Sequence, residues 1–383
     1  MMFGEKKSKK KWHRLIGLIF SVVSLIILTY ISMALISGRG VSFAWFTNIF
    51  TRPTPIEVAD ELLFDVGRDR VFVNLHNSIA AAGALGIQVL DYDGNEVLRD
   101  SFWMHRPAVS ANNSRAIAFD IGGTAVRVFD SNEVLSSLEA SGAIISASIN
   151  RGGWFSVNTQ EGGGLRSMVM VYNDRGNAVF RVELGSGYAF ASVISPDNRN
   201  LAVLNLTDIG SRITLYQGMN RSEYDSVFVL PGGLILDMRF LSNGNLLAVS
   251  RDALMIIDRN GESRTLFEFA DRRLGGFILH DNVTILHLLD YGVGHSGRIV
   301  KIDDRGRVLT EYDTDREIIS MSYEGGYLAV LFSDGVMFFD RNLNAFSKIE
   351  GDSSAAGISR VHSLGGGVAL ATGEHMAMAV FKE

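Results

Sequence analysis

The sequence predicts an all-β fold: a β-propeller of eight four-stranded blades, with seven as the alternative, behind one N-terminal transmembrane helix. Three observations carry this reading. Between residues 233 and 270, four short runs rich in Ile, Leu, Val and Phe are separated by turns, two of which contain Asn-Gly. That dipeptide tolerates the positive φ of tight hairpins. The third of those runs, an apolar segment that stops at a polar residue, recurs along the chain. Residues 15–36, finally, contain no charged side chain.

A single antiparallel unit of four strands cannot bury both of its faces, so copies must stack against it. The recurring third run reads IQVLD at 87–91, VRVFD at 126–130, VMVYN at 169–173 and ITLYQ at 213–217. It continues as MIID at 255–258, IVKID at 299–303, VMFFD at 336–340 and MAVFK at 378–382. A spacing of about 40–45 residues is the propeller-blade period, and eight copies suggest eight blades.

At the N-terminus, residues 1–14 carry Lys6, Lys7, Lys9, Lys10, Lys11 and Arg14 against Glu5. The uncharged run 15–36 that follows is long enough to cross a ~30 Å hydrocarbon core as a helix. Positive charge before the span predicts a cytoplasmic tail at 1–14, with the remaining chain on the outer side. The rival reading is a cleaved signal peptide, with Ser32-Met33-Ala34 loosely like its small-residue site, but the apolar run exceeds the ~7–15 residues of a signal core. The whole chain has a net charge of −6. The tail is basic, so the rest is more acidic still. An acidic body argues against a nucleic-acid-binding surface, which needs a basic stripe.

Residues 37–58 read as a juxtamembrane connector, loosened by Gly38 and Gly40 and extended by Pro53 and Pro55. Phe43, Phe46, Ile49 and Phe50 fall near one helical face. That face would either rest on the membrane interface or pack against the propeller base. The propeller itself spans 59–383. Residues 61–66 resemble the fourth run of a blade with nothing before it, whereas 361–381 supply three runs and stop. Adding the N-terminal strand to the last blade closes the ring and removes two open sheet edges.

Strand positions differ in character. First runs carry small residues (Ser110, Ser146, Ser148, Ser192, Ser320, Ser322 and Ser359), as expected where blades taper around a channel. Third runs are apolar on both alternations, which predicts strands sandwiched between neighbouring blades. Fourth runs mix charge with apolar residues, as suits an outer edge that must not pair with another chain. The chain has no cysteine, so it holds neither disulfide nor thiolate metal site.

The turn Ser195-Pro196-Asp197-Asn198-Arg199-Asn200-Leu201-Ala202 resembles the Ser-Pro-Asp-Gly turn of WD-repeat-like bacterial propellers. Asp258-Arg259-Asn260-Gly261, Asp303-Asp304-Arg305-Gly306 and Asn173-Asp174-Arg175-Gly176 resemble the third-to-fourth-strand turn of quinoprotein-type propellers. The body-wide pattern behind a lysine-rich anchor is similar to an uncharacterised family of membrane-anchored propellers in Gram-positive anaerobes. The resemblance covers about residues 60–383 and implies a fold, not an activity. The His and Trp-Asp signatures of eukaryotic WD repeats are missing. Leu98, Phe180 and Thr310 lie near the slots that quinoprotein blades fill with tryptophan, so no cofactor is expected.

Several motifs suggest chemistry without its full residue set. Asp91-Tyr92-Asp93-Gly94 has glycine at the fourth position, not the sixth that a calcium loop needs, and reads as a hairpin turn. His280, His287 and His295 fall on a strand end, mid-strand and a loop, so no metal site is expected from them. Gly162-Gly163-Gly164 and Gly365-Gly366-Gly367 lack the lysine and helix of a phosphate loop. No Gly-x-Ser-x-Gly elbow is present. The polar residues that stand out are those on channel-lining first runs: Asp237, Arg239, Arg360 and His362. They are the ligand-binding candidates, unless they bond to one another as buried polar groups usually do.

These observations point to a membrane-tethered, extracytoplasmic binding scaffold for an envelope protein or glycan, using loops on the membrane-distal rim and without evident catalysis. Two alternatives stay open. One is a glycan-processing enzyme with a carboxylate pair at the channel, ~5–9.5 Å apart. The other is a small-molecule sensor with a sizeable polar pocket.

Overall fold

The computed structural model describes residues 62–383, apart from 113, 221–222, 281, 291–293, 351–357, 366–367, 374–378 and 382–383. The basic tail 1–14, the span 15–36 and the connector 37–58 lie outside the described residues. Among those described, no helix is long and apolar enough to cross a membrane. The described chain is all β, arranged as a ring of antiparallel sheets.

Seven sheets have four strands each, with neighbours in sequence paired in space throughout. We number these blades 1 to 7: 71–101, 107–139, 143–184, 188–231, 235–268, 273–314 and 318–350. In eighth place, 358–381 forms a three-stranded sheet. Seven complete blades match the alternative count, and the eighth sheet supplies three strands of the further blade. First strands of most neighbouring blades contact one another, the blade 5–6 boundary is joined by a shared core cluster, and the first strand of blade 1 also reaches that of the eighth sheet, which completes the ring.

Burial follows radius. Fourth strands are the most exposed: Glu96–Ser101 alternates between exposed and half-buried, as does Ala345–Glu350. Second strands are the most uniformly buried, with Ser78–Gly83, Ala116–Asp120 and Leu246–Ser250 buried at every residue. The expectation had given that character to the third strands, which come next, as in Gly86–Asp91. The physical reason is position. Second and third strands each have a strand on either side, but the second lies one strand nearer the ring's centre, where the blades converge and pack face to face. The core accordingly divides into clusters that straddle blade boundaries. Leu204, Ile213 and Leu215 of blade 4 meet Met238, Leu246 and Ile257 of blade 5. Leu247, Val249 and Leu254 of blade 5 meet Leu286, Val300 and Ile302 of blade 6.

In most of the described blades, the polar residue that ends the third run has a backbone task. Asp258 Oδ1 accepts from the amides of Asn260 and Glu262, both at 2.9 Å. Asp303 does the same for Arg305 and Arg307, and Asp340 for Asn342 and Asn344. Asn173 accepts from Arg175 and Asn177. Side-chain acceptors of this kind satisfy turn amides that no strand can pair. The Asn344 side chain, together with those amides, holds the Asp340 carboxyl below its ordinary value. Asp91 caps the corresponding turn in blade 1 through Asn95, so the Asp91-Tyr92-Asp93-Gly94 segment is a hairpin, as its sequence suggests.

Leu62 to Val66 precedes blade 1 in an extended form whose burial alternates. Leu62, Phe64 and Val66 are buried, and Leu63 and Asp65 are exposed. The three buried residues share a cluster with Phe72, Ile79 and Leu90 of blade 1 and Leu364 and Val368 of the eighth sheet. The Asp65 amide donates to Gln88 Oε1 at 2.7 Å. Gln88 holds the third-strand position that Arg127 holds in blade 2, where Arg127 Nε donates to Asp100 Oδ2 on the preceding fourth strand. The segment thus packs on blade 1 as a fourth strand packs on the blade after it.

Candidate functional site

The innermost strands define the channel, and most of them share one irregularity. Blades 4 to 7 and the eighth sheet each carry a register shift near the start of the first strand, at Phe190, Leu236, Gly275, Ile319 and Ser359. Blade 3 carries the same shift at Ile145. Each shift inserts one residue opposite none on the second strand, a β-bulge that re-aims its neighbours. Beyond the bulge, alternate residues face the next blade around the ring.

That geometry relocates the small residues expected to line the channel. Ser146 Oγ donates to the carbonyl of Phe190, and Ser148 Oγ to that of Ser192 at 2.6 Å, both across the blade 3–4 boundary. Ser192 Oγ donates to Asn158 Oδ1 at 2.6 Å, and Asn158 returns a bond to Ser146. Ser320 accepts from the Val361 amide in the same sense. These serines stitch neighbouring blades together; a short hydroxyl side chain lets the strands approach and still satisfies a backbone group. The side chain of Ser359 lies outside the described set.

The four candidate polar residues occupy two of these levels. Asp237, the first residue beyond its bulge, is half-buried and accepts from the Met238 amide at 2.7 Å. Burial pushes its carboxyl up to about 6, against the opposing pull of that amide and of Arg239. Arg239, two residues on, donates from Nη2 to Asp304 Oδ1 at 2.8 Å, joining blade 5 to a turn of blade 6. At the equivalent positions of the eighth sheet, Arg360 is exposed and His362 is half-buried. The His362 ring lies 5.7 Å from that of Phe72 across the seam with blade 1, and its Nε2 is buried without a hydrogen-bond partner. Burial, reinforced by the Arg360 charge, holds this imidazole down to about 4. Asp237 and Arg239 thus lie on the first strand of blade 5, and Arg360 and His362 on the first strand of the eighth sheet.

The two mouths of the channel differ. At the end bearing the first-to-second-strand turns, a pocket of about 260 Å³ is lined by Ser148, Asn150, Arg151, Arg239, Ser242 and Asn282, with Phe240 and Pro196 among its apolar walls. Much of that polar lining is engaged within the protein. Asn150 Nδ2 donates to the Ser195 carbonyl at 2.8 Å and to Asn198 Oδ1 at 2.6 Å, its Oδ1 accepts from the Trp154 amide, and Ser148 and Arg239 are bonded as above. At the opposite end, bearing the second-to-third-strand turns, the bulge residues Phe190 and Ile319 remain 49% and 37% exposed on innermost strands. Leu236 and Ile145 are half-buried beside them. The same end exposes Leu85, Trp103, Tyr188, Ile209 and Leu234.

Sequence reasoning missed this apolar mouth. A signal was present: an apolar residue doubled where strict alternation should hold, as in Ile144-Ile145-Ser146, Ile235-Leu236-Asp237 and Ile318-Ile319-Ser320. A doublet at one register of successive repeats marks a bulge. The remaining motifs are structural. His280 and His295 each lie 3.8 Å from one glutamate, Glu324 and Glu317. His287 is buried in blade 6, which holds its imidazole below its ordinary value. Among the described residues, no cluster of metal-ligating side chains forms.

Ring, bulged inner strands and capped turns define a β-propeller that offers one polar and one apolar mouth. The chain belongs to a family of unknown function, DUF5711, whose model matches residues 54–354. No curated protein matches the sequence. Among solved structures, the chain is similar to the C-terminal WD40 domain of Sif2, with a TM-score of 0.61, 15% identity and coverage of 84% of this chain and 99% of that one. It is similar to Chaetomium thermophilum Sqt1 bound to the N-terminus of the ribosomal protein L10, with a TM-score of 0.57, 14% identity and coverage of 85% and 100%. It is also similar to BamB from Moraxella catarrhalis, with a TM-score of 0.50, 15% identity and coverage of 87% and 99%. At these identities the likeness establishes the fold alone.

Proposed function

We propose that this protein is a membrane-tethered, extracytoplasmic propeller that binds another protein of the cell envelope. The observation that carries the reading is the gathering of rigidly held, exposed apolar side chains at one end of the ring. Trp103 is 76% exposed, yet the connection bearing it is pinned on both sides. The Phe102 and Met104 amides donate to the Leu85 and Ala84 carbonyls, and Asp120 Oδ1 accepts from the amides of His105 and Arg106 at 2.8 Å. Ile209 is 59% exposed on a turn tied to Gly232 through a 2.8 Å backbone bond. Large apolar side chains that a rigid scaffold keeps in water are what binding surfaces are made of. The similar propeller Sqt1 holds the N-terminus of another protein.

The tether in this reading is the uncharged run 15–36 behind the lysine-rich tail. The ring is completed by 62–66 serving as the missing fourth strand of the eighth sheet. The test is a pull-down of tagged, full-length protein after crosslinking in intact cells, beside a Trp103→Ala, Ile209→Ser double variant. One envelope protein enriched with the wild type and lost with the variant supports the reading; identical recoveries from both overturn it.

A further inference from the structure

We infer that His362 makes the closing seam of the ring an acid-sensitive joint: a proton on its imidazole loosens the eighth sheet from blade 1 while the other seams hold. This device goes beyond the partner-binding reading above and stands without it. Every other pair of neighbouring sheets is consecutive in the chain, whereas this seam brings the last sheet, 358–381, against the first. Side chains hold it. Leu62, Phe64, Val66 and Phe72 share a cluster with Leu364 and Val368. Asn74 Nδ2 donates to the Ser363 carbonyl at 2.7 Å. The Phe64 and Phe72 rings meet edge to face at 5.4 Å, and the His362 ring lies 5.7 Å from that of Phe72. His362 thereby brings a titratable side chain into a mostly apolar joint.

The neutral ring fits this joint better than the charged one. An imidazolium carries an N–H on both nitrogens, and Nε2 is buried with no hydrogen-bond partner among the described residues. A buried donor without an acceptor costs free energy, and a buried charge costs more. The ionisable groups on the surrounding elements are exposed or engaged elsewhere. The first strand of blade 1, Val71–Leu75, carries none, and Arg70 and His76 on either side of it are exposed. The second strand of the eighth sheet, Val368–Gly373, carries none. In 62–66, Asp65 is exposed and lies 3.6 Å from Arg99. On blade 7, Tyr323 accepts from Lys301, Glu324 lies 3.8 Å from His280, and Tyr327 meets Phe346 edge to face. Tyr92, which packs on the seam cluster, donates its hydroxyl to the His76 carbonyl at 3.2 Å. Arg360, on the same strand as His362, adds a like charge. Burial and that charge hold the imidazole down to about 4, below the ~6.5 of a free histidine. Neutral His362 therefore supports the closed seam above pH ~6.5, and the support is lost as pH falls toward 4, because the open seam takes the proton first. An extracytoplasmic ring, as proposed above, meets the pH of the cell's surroundings directly.

The chain has no cysteine, so one introduced thiol reports on one place. Ser363→Cys puts it at a buried position of the closing seam, and Ala248→Cys puts it in the core shared by blades 4 and 5. Both full-length variants, in zwitterionic nanodiscs, are labelled with dithiodipyridine at about pH 7 and pH 5, on either side of the free-histidine value. Each rate is divided by that of the same protein unfolded in urea at the same pH. The thiol at 363 should react at least about tenfold faster in the acid sample, and the thiol at 248 no more than about twofold faster. In the Ser363→Cys chain, His362→Phe keeps an aromatic ring against Phe72 and takes no proton, so the acid response should vanish. Arg360→Gln, at an exposed side chain, removes the like charge and should shrink the response. Equal acceleration of both thiols, no acceleration at 363, or a full response in His362→Phe overturns the inference. If His362→Phe labels at pH 7 as fast as its unfolded reference, Arg360→Gln decides, and an undiminished response there overturns it.

Discussion

The two mouths of this channel are built from the same eight strands, yet they have opposite properties. At the polar mouth, side chains that look available in the sequence are largely engaged: Ser148 by Ser192, Asn150 by Ser195 and Asn198, Arg239 by Asp304. At the apolar mouth, residues that a hydrophobic pattern would assign to the core are left in water by a one-residue bulge. Chemical type is therefore a poor guide to availability here. A polar group whose hydrogen bonds are made inside the protein contributes to the frame, whereas an apolar group that the frame declines to cover is free to act.

If that comparison holds, substitutions of polar groups enclosed by the frame should act on stability, and those of apolar groups left exposed at the mouth should act on binding. The largest stability effects belong to Asp237 and His362, and they oppose each other. His362 has a folded-state pKa of about 4, below its unfolded value of about 6.5. Its neutral burial thus supports the fold above pH ~6.5, and that support is lost as pH falls toward 4. Asp237 has a folded-state pKa of about 6, above its unfolded value near 3.9. Its protonated burial supports the fold at low pH, and that support is lost as pH rises through 6. Each amounts to roughly 3 kcal/mol across its window, so the two nearly cancel between pH 4 and 6. Chemical denaturation should find a shallow pH dependence in the wild type. His362→Leu should unmask stability that falls with rising pH, and Asp237→Asn stability that rises with it. A steep wild-type slope, or two variants with the same slope, would mean that one of these groups is solvated.

Next in size is Arg239→Ala. It leaves the half-buried Asp304 without its partner and should cost about 1–3 kcal/mol, read as a lower denaturation midpoint. Recovery of the envelope partner should stay at the wild-type level. If the midpoint holds and the partner is lost, the polar mouth is the binding site and the comparison is reversed. Smallest of all on stability is Phe190→Ser, which should shift the midpoint by no more than ~0.5 kcal/mol, as at a surface position. A loss of several kcal/mol would show that Phe190 belongs to the core.

Much of the fold was legible in the sequence because it is repetitive. Among the described residues, the third runs fall on strands at the expected places, and a polar residue that ends one, such as Asp258 or Asp340, is there to cap a turn. Asp237 and His362 were found because polar residues stand out on inner strands. Their placement in different repeats was legible from the period; their distance across the channel was not, since strand order around a ring fixes distances that spacing along the chain does not. Ser146 and Ser148 were assigned to the channel because the sequence shows a side chain's type and alternation, while a bulge changes the face it points to. Phe190 and Ile319 were overlooked for the same reason: without the register shift they read as ordinary core.

The central claim is that the apolar mouth, not the polar one, meets the partner. The most direct measurement places a photo-crosslinking phenylalanine analogue at position 190 in one full-length variant and at position 242 in another. Both are irradiated in intact cells. The account predicts a discrete crosslinked species from position 190 and none from position 242. A crosslink from position 242 alone would contradict it.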